Sequence, residues 1–258
     1  LGEHRASEEE QLPATLDWVA KGAVTAVKHQ NCGNCWTFSA AGSLEGAYAI
    51  ATKKRVNFSE QEFVDCVDTG CKGGWNFHAL SFAVNHTVCT MEDFPCLAPE
   101  FKGNGTQCEL WQDSGCSARP RSLKRGALAG WKSVGGAKWG QTTEADLMSA
   151  LQAGPVSINM FADAHMAHYS GGVLSYANCS EGTNHGVLAV GYGTCEPGKT
   201  HGPCANVTKK MDYWMVKNSW GTTFGVDGYF YLARGVYPAG CGPAGILLTN
   251  PSYPVRPK

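Results

Sequence analysis

An α+β fold, with a helical first half and a strand-rich second half, follows from three features of the sequence. From Trp36 onward the apolar or small residues Ala40, Leu44, Ala47, Tyr48 and Ala51 recur at three- and four-residue spacing, the pattern of one long buried helix. After TTEADLMSALQAG the period changes, and PVSINMF, HGVLAVGYG, YWMVKNSWG and DGYFYLAR are short runs rich in β-branched and aromatic residues. Between the two halves, residues 98–126 are rich in Gly, Pro, Ser and charge and read as loop. The seam between a helical and a sheet lobe is a natural place for a cleft.

Each element has a local reason. Cys35 opens the first helix. In SEQEFVDC, Ser59 and Glu62 have the spacing of a capping box, and NFHALSFAVNH continues as a further helix. TTEADLMSALQAG is a short helix with Thr143 as its cap and Gly154 as its stop. The four runs after it are expected to pair as a mostly antiparallel sheet. TCEPGKTHGPCANVTKK, between two of them, reads as a surface insertion stapled by Cys195 and Cys204.

Composition bounds the function. A chain of 258 residues buries a substantial core as one large domain or two small ones. The net charge is −1, and no basic stripe interleaves with aromatics, which sets nucleic-acid binding aside. No apolar run approaches the ~18–20 residues that span a bilayer, and the opening LGEHRASEEEQLP is polar and acidic and reads as already processed. Twelve cysteines are many for a cytosolic enzyme and suggest disulfides made in an oxidising compartment. Five asparagines, Asn57, Asn85, Asn104, Asn178 and Asn206, stand in glycosylation sequons, which points to the secretory pathway.

Within VKHQNCGNCWTFSA, Cys32 and Cys35 form a Cys-x-x-Cys that supports redox, metal or nucleophilic chemistry. A helix N-terminus favours thiolate over thiol, which makes Cys35 the better nucleophile. A reactive thiolate needs a histidine to share its proton, and the histidine needs a partner to hold its ring. His185 at the start of one strand and Asn218 late in a neighbouring one supply both.

Taken together, CGNCWTFSA, DTGCKGG, NHGVLAVGYG and KNSWG resemble the papain-like cysteine proteases, in a likeness running from Leu12 to Tyr253. His185 follows Cys35 by about 150 residues, at the edge of the family's spacing of ~130–150. The insertion accounts for the later asparagine. The resemblance implies a two-lobe papain-like fold with the active-site cleft between a helical lobe, roughly 23–126, and a β-rich lobe, roughly 127–246, whose ends cross over. It implies a single peptidase domain over 12–258, preceded by residues 1–11 as an extension or an activation-segment remnant. Cys35 becomes the nucleophile, His185 the base and acid, and Asn218 the residue that orients the imidazole. In papain itself the nucleophile's pKa falls to ~3–4 beside its histidine.

The family's oxyanion-hole glutamine normally lies six residues before the nucleophile. Here His29 holds that place and Gln30 is one residue closer. Either Gln30 still reaches the site, or His29 has replaced it, or the Cys35 N–H acts alone; losing one such donor costs ~2.7–4 kcal/mol. Trp220 resembles the tryptophan that shields the His–Asn hydrogen bond. Gly73 and Gly74 resemble the edge that binds an extended peptide. Trp75, Asn159, Thr183, Asn184 and Ile246 match the pocket for the second residue before the cut. That pocket carries no carboxylate, so an apolar residue is expected there. Between Lys72 and Gly126 no His-His pair of the kind that blocks the cleft in dipeptidyl-removing relatives occurs, which favours an endopeptidase.

By the same resemblance Cys32 pairs with Cys71, Cys66 with Cys108, and Cys179 with Cys241, leaving Cys89, Cys96 and Cys116 as an odd set with Cys89–Cys116 preferred. No cofactor or metal is expected. The implied partners are protein or peptide substrates, inhibitors of the cystatin type and the enzyme's own propeptide. The implied state is a monomer that is secreted or lysosomal/vacuolar. Three other readings compete: a thiol–disulfide oxidoreductase using Cys32 and Cys35, a non-enzymatic binding or storage protein on the same fold, and a zinc site from Cys32, Cys35 and Cys66 or Cys71.

Overall fold

The structure is a computed structural model, and it describes residues 2–7, 10–67, 70–95, 119–136, 140–175, 182–199, 202–205, 207–236, 245–247, 249 and 251–256. Cys96, Cys108, Cys116, Cys179, Cys241, Asn104, Asn178, Asn206 and most of the 98–126 loop lie outside the described residues.

The helical half holds α1 (Cys35–Thr52), α2 (Glu60–Cys66) and α3 (Asn76–Asn85). Helix α1 is buried almost all round, so its helicity comes from packing rather than from one amphipathic stripe. It ends at Lys53, whose left-handed backbone (φ 61°) lets its N–H return to the Ala49 carbonyl. Ser59 caps α2 by accepting from the Glu62 N–H. The reciprocal half of the expected capping box is missing: Glu62 Oε2 accepts instead from the Cys89 N–H at 2.7 Å, while the Ser59 N–H donates to the Cys89 carbonyl. Trp36, Leu44, Phe58, Phe63 and Leu80 form the core of this half.

The second half is built on a sheet of nine strands among the described residues. They are β1 (Gly2–His4), β2 (Leu16–Asp17), β3 (Gly130–Val134), β4 (Val156–Met160), β5 (Val173–Leu174), β6 (His185–Cys195), β7 (Met211–Lys217), β8 (Tyr229–Arg234) and β9 (Ser252–Val255), in the order β1-β3-β9-β4-β6-β7-β8-β5 with β2 on β6. The interior is antiparallel, as expected, but the two ends are not. β1 pairs with β3 and β5 with β8 in parallel, because each arrives from a distant part of the chain rather than through a hairpin. Helix α4 (Glu144–Leu151) carries a complete capping box between Thr143 and Asp146. The short α5 (Ala164–Ala167) starts at Asp163. Leu147, Leu151, Ile158, Met160, Trp214 and Phe230 fill the second core.

The two cores meet along α1. Ser39 hydrogen-bonds Ser157 of β4 and donates to the Val187 carbonyl of β6 at 2.6 Å, and Asn76 donates to Ser157 at 2.7 Å. Buried hydroxyls with their partners in place fix how the helix lies on the sheet. The N-terminus of α1 is thereby held against the first residues of β6.

Candidate active site

Cys35 is the first residue of α1 and His185 the first of β6. Gly186 brings them together. A Cβ there would lie 3.0 Å from Trp36 Cα and 3.2 Å from the Cys35 carbonyl carbon, so only glycine lets the strand approach the helix start this closely. Among the described residues Cys35 is the one free cysteine. Cys32 is bonded to Cys71, Cα–Cα 5.4 Å, which removes it from dithiol and metal chemistry.

His185 is 6% exposed, and its Nε2 lies 2.8 Å from Asn218 Oδ1. Asn218 follows directly on the end of β7, one residue beyond the strand that was expected to contain it. Its Oδ1 also accepts from the Ser219 N–H at 2.8 Å, which sets the amide's orientation. An amide oxygen only accepts, so His185 Nε2 carries the proton and Nδ1 is the basic nitrogen. The Trp220 ring stacks on the imidazole at 4.8 Å and 28°, and Phe224 meets Trp220 edge-on at 5.0 Å.

The electrostatics of the resting pair follow from this enclosure. Burial pushes the Cys35 thiol up, against N–H groups of Gly186, Trp36 and Cys35 that favour the thiolate. Burial also pushes His185 down to about 4, against the Asn218 hydrogen bond that favours the imidazolium. The thiolate preference expected from the helix N-terminus is thus outweighed by desolvation. Burial thus works against either charge appearing alone, and a proton passing from sulfur to nitrogen creates both charges together.

Gln30 lies beside this pair. Its N–H donates to the Ser219 carbonyl at 2.8 Å, its Oε1 accepts from the Ser219 hydroxyl at 2.7 Å, and its Nε2 donates to the Cys32 carbonyl at 2.8 Å. The side chain lines the same cleft as Cys35, whereas His29 is exposed and outside the lining. One Nε2 hydrogen remains to be aimed at a ligand.

A family model described as "Papain family cysteine protease" matches residues 12–249. The chain belongs to the papain family. It is 40% identical over 233 residues to a cathepsin L-like peptidase of Aedes aegypti, covering 87% of this chain and 60% of that one. The bromelain protease from Ananas comosus, solved in complex with the E64 inhibitor, superposes with a TM-score of 0.74 at 31% identity, covering 95% of this chain and 100% of that one. Digestive procathepsin L 3 of Tenebrio molitor superposes with a TM-score of 0.73 at 30% identity, covering 98% and 75%. The chain spans about half to two thirds of the length of the curated relatives it matches. The papain-like α+β fold expected from the sequence is the fold observed.

In this papain-family chain the cleft is an open space of about 910 Å³. Its helical wall is Gly33, Cys71, Lys72, Gly73, Gly74, Trp75 and His78, and its sheet wall is Asn159, Ala162, Asp163, Thr183, Asn184 and Trp220. The Cys32–Cys71 disulfide and a bridge from Gly33 to Lys72 tie the loop before α1 to the Gly73–Gly74 edge. A Cβ on Gly74 would come 2.6 Å from the Trp36 ring, so this edge also depends on glycine. Trp75 stacks on Phe77 at 5.9 Å and presents an aromatic face to the cleft.

Ile246 is a correction. It was expected at the pocket floor, yet it is fully buried in the sheet's core and is not among the described residues lining the cleft. An apolar residue at the right offset is equally at home in a core, where burial rewards it fully. Lys72, His78 and Asp163 line the cleft without having been singled out. Asp163 precedes AHMA as an N-cap would, and that pattern is the one sequence signal it carries.

Behind Asn218 lies a buried ionic network that sequence reasoning also missed. Lys28 Nζ donates to Glu45 at 2.7 Å and Glu60 at 2.6 Å, the Thr25 hydroxyl donates to Glu45 at 2.5 Å, and Lys217 Nζ donates to the Thr25 hydroxyl at 3.2 Å. Burial pushes Lys217 down to about 8, partly offset by Glu45. Elsewhere Cys195 and Cys204 are joined, Cα–Cα 5.2 Å. Cys66 and Cys89 are also disulfide-bonded, with partners outside the described residues. Asn57 and Asn85 are exposed.

Proposed function

We propose that the chain is a cysteine endopeptidase acting through Cys35, His185 and Asn218. The observation that carries this reading is the one free cysteine among the described residues, at a helix start and packed through Gly186 against a histidine whose Nε2 proton is held by Asn218. His185 Nδ1 takes the thiol proton as Cys35 Sγ attacks the scissile carbonyl carbon. The Cys35 N–H and Gln30 Nε2 donate to the oxygen that becomes negative. The tetrahedral adduct collapses to a thioester as the C–N bond breaks and the imidazolium returns its proton to the departing amine. Water, deprotonated by His185, then attacks the thioester and restores the thiol.

An extended substrate lies along Gly73 and Gly74, with the second residue before the cut against Trp75, Asn159 and Thr183. Trp75 makes that pocket favour Leu or Phe. Protein inhibitors of the cystatin type and the enzyme's own propeptide would occupy the same cleft, and the enzyme would act as a monomer. The Cys32–Cys71 and Cys195–Cys204 disulfides and the exposed Asn57 and Asn85 support passage through the secretory pathway, glycosylation, and a secreted or lysosomal/vacuolar destination. No helix among the described residues is long and apolar enough to cross a membrane.

Labelling with an epoxide inhibitor followed by peptide mapping tests the reading. Modification confined to Cys35, with loss of turnover in proportion, is the expected result. Labelling of any other residue at the inactivating dose would overturn it.

A further inference from the structure

Among the described residues lining the cleft, Asp163 is the sole carboxylate and Lys72 the sole ammonium, and they stand on opposite walls. Asp163 is rigidly placed. Its Oδ1 accepts from the N–H groups of His165 at 2.9 Å and Met166 at 3.2 Å, and its Oδ2 lies 3.1 Å from His165 Nδ1. The preceding residue is clamped to the chain beside His185: Ala162 N–H donates to Asn184 Oδ1 at 2.7 Å, and Asn184 Nδ2 donates to the Ala162 carbonyl at 3.0 Å. What burial Asp163 has works against its charge, but the hydrogen bonds from His165 and Met166 prevail and hold its pKa below the usual carboxylate value.

Register decides which part of a substrate meets this carboxylate. In β4 Asn159 pairs with Gly186, on the Cys35 side, and Met160 pairs with His185. Ala162 and Asp163 therefore lie past the histidine, away from the Asn159 pocket. The imidazole must face the departing amine to protonate it, so the wall beyond His185 is the wall of the leaving group. We propose that Asp163 selects a basic side chain on the residue immediately after the scissile bond and disfavours an acidic one. The inference rests on the endopeptidase reading above. Its size is bounded by exposure, since the Asp163 side chain is 25% exposed, and by His165, which in its cationic form supplies an internal counter-charge.

The test uses three internally quenched peptides that differ only in carrying Lys, Ala or Glu after the cleavage point. In the wild-type enzyme the kcat/KM order is Lys above Ala above Glu, with a Lys-to-Glu ratio of at least about threefold that shrinks as salt is added. In Asp163→Asn, which keeps an N-cap residue, that ratio falls toward one. Because the ratio is taken within one preparation, it is insensitive to the fraction folded, and the salt series needs no variant. A wild-type ratio at or below one, or a ratio that Asp163→Asn leaves unchanged, would overturn the proposal. Cleavage of none of the three peptides would instead overturn the endopeptidase reading, and this inference with it.

Discussion

Trp220 lies flat over His185, ring centroids 4.8 Å apart, on an imidazole whose Nε2 is already committed to Asn218. The indole keeps water from that hydrogen bond and supplies part of the burial that pushes His185 down to about 4. With the base neutral down to that pH, the acid limb of kcat/KM falls near pH 4. In Trp220→Ala water re-enters, the desolvation weakens, and the limb moves up toward the ordinary histidine value of about 6.5. A pH profile of the two enzymes reads the shift. An unmoved limb would mean that Trp220 packs against the histidine without tuning it.

Gln30 and His29 separate as oxyanion donors. Gln30→Ala is expected to lower kcat by about 10²–10³-fold, the usual cost of one oxyanion-hole donor. His29→Ala, on an exposed residue outside the cleft lining, should change kcat less than about threefold, within the range of a surface substitution. The opposite order in steady-state kinetics would place the donor one residue earlier.

Glu62 offers a test of stability. Burial raises its pKa to about 8, against the hydrogen bond from the Cys89 N–H. The folded state therefore holds a proton that the unfolded state has already lost above its ordinary pKa of ~4.3. The stability this proton provides is fully present below that value and is lost as pH rises toward 8. Glu62→Gln cannot ionise yet still offers an acceptor to Cys89. Its Tm should gain on wild type progressively between pH 5 and pH 8. A Tm difference that does not vary with pH would show Glu62 ionised in the fold.

Much of this structure was legible for a physical reason. Cys35, His185 and Asn218 sit at element boundaries, and motifs there have little freedom to drift. The strands β4, β6 and β8, buried on both faces almost throughout, and the half-buried β7 announce themselves through runs rich in β-branched and aromatic residues. Strands β3 and β9 do not: GWKSV carries a lysine and a glycine, SYPV a proline, and the two find each other from opposite ends of the half. The ionic network was hidden because Lys28, Glu45, Glu60 and Lys217 are single charges in separate segments, and only the packing brings them within hydrogen-bond reach. Ile246 was misplaced because offset alone cannot tell a pocket wall from a core.

The pocket for the second residue before the cut is expected to favour apolar side chains. Trp75 offers an aromatic face, and the cleft's one described carboxylate, Asp163, stands beyond His185. Filling the pocket with Phe or Leu gains on the order of 1.5–3 kcal/mol of burial, whereas an arginine would lose hydration without a partner. Fluorogenic Phe-Arg substrates should be cleaved at least about tenfold more efficiently than Arg-Arg ones, the equivalent of ~1.4 kcal/mol. Equal kcat/KM would mean that Asp163 reaches into this pocket instead.

The central claim is that one thiol performs the chemistry, with Asn218 orienting the base rather than transferring a proton. Its most direct test is kcat on a Phe-Arg substrate for wild type, Cys35→Ala, His185→Ala and Asn218→Ala, each shown by circular dichroism to be folded. Cys35→Ala and His185→Ala should each lose at least about 10⁴-fold, and Asn218→Ala clearly less, as when the third member of a catalytic triad is removed. Turnover by Cys35→Ala in a preparation free of other proteases, or a larger loss from Asn218→Ala than from His185→Ala, would contradict the account.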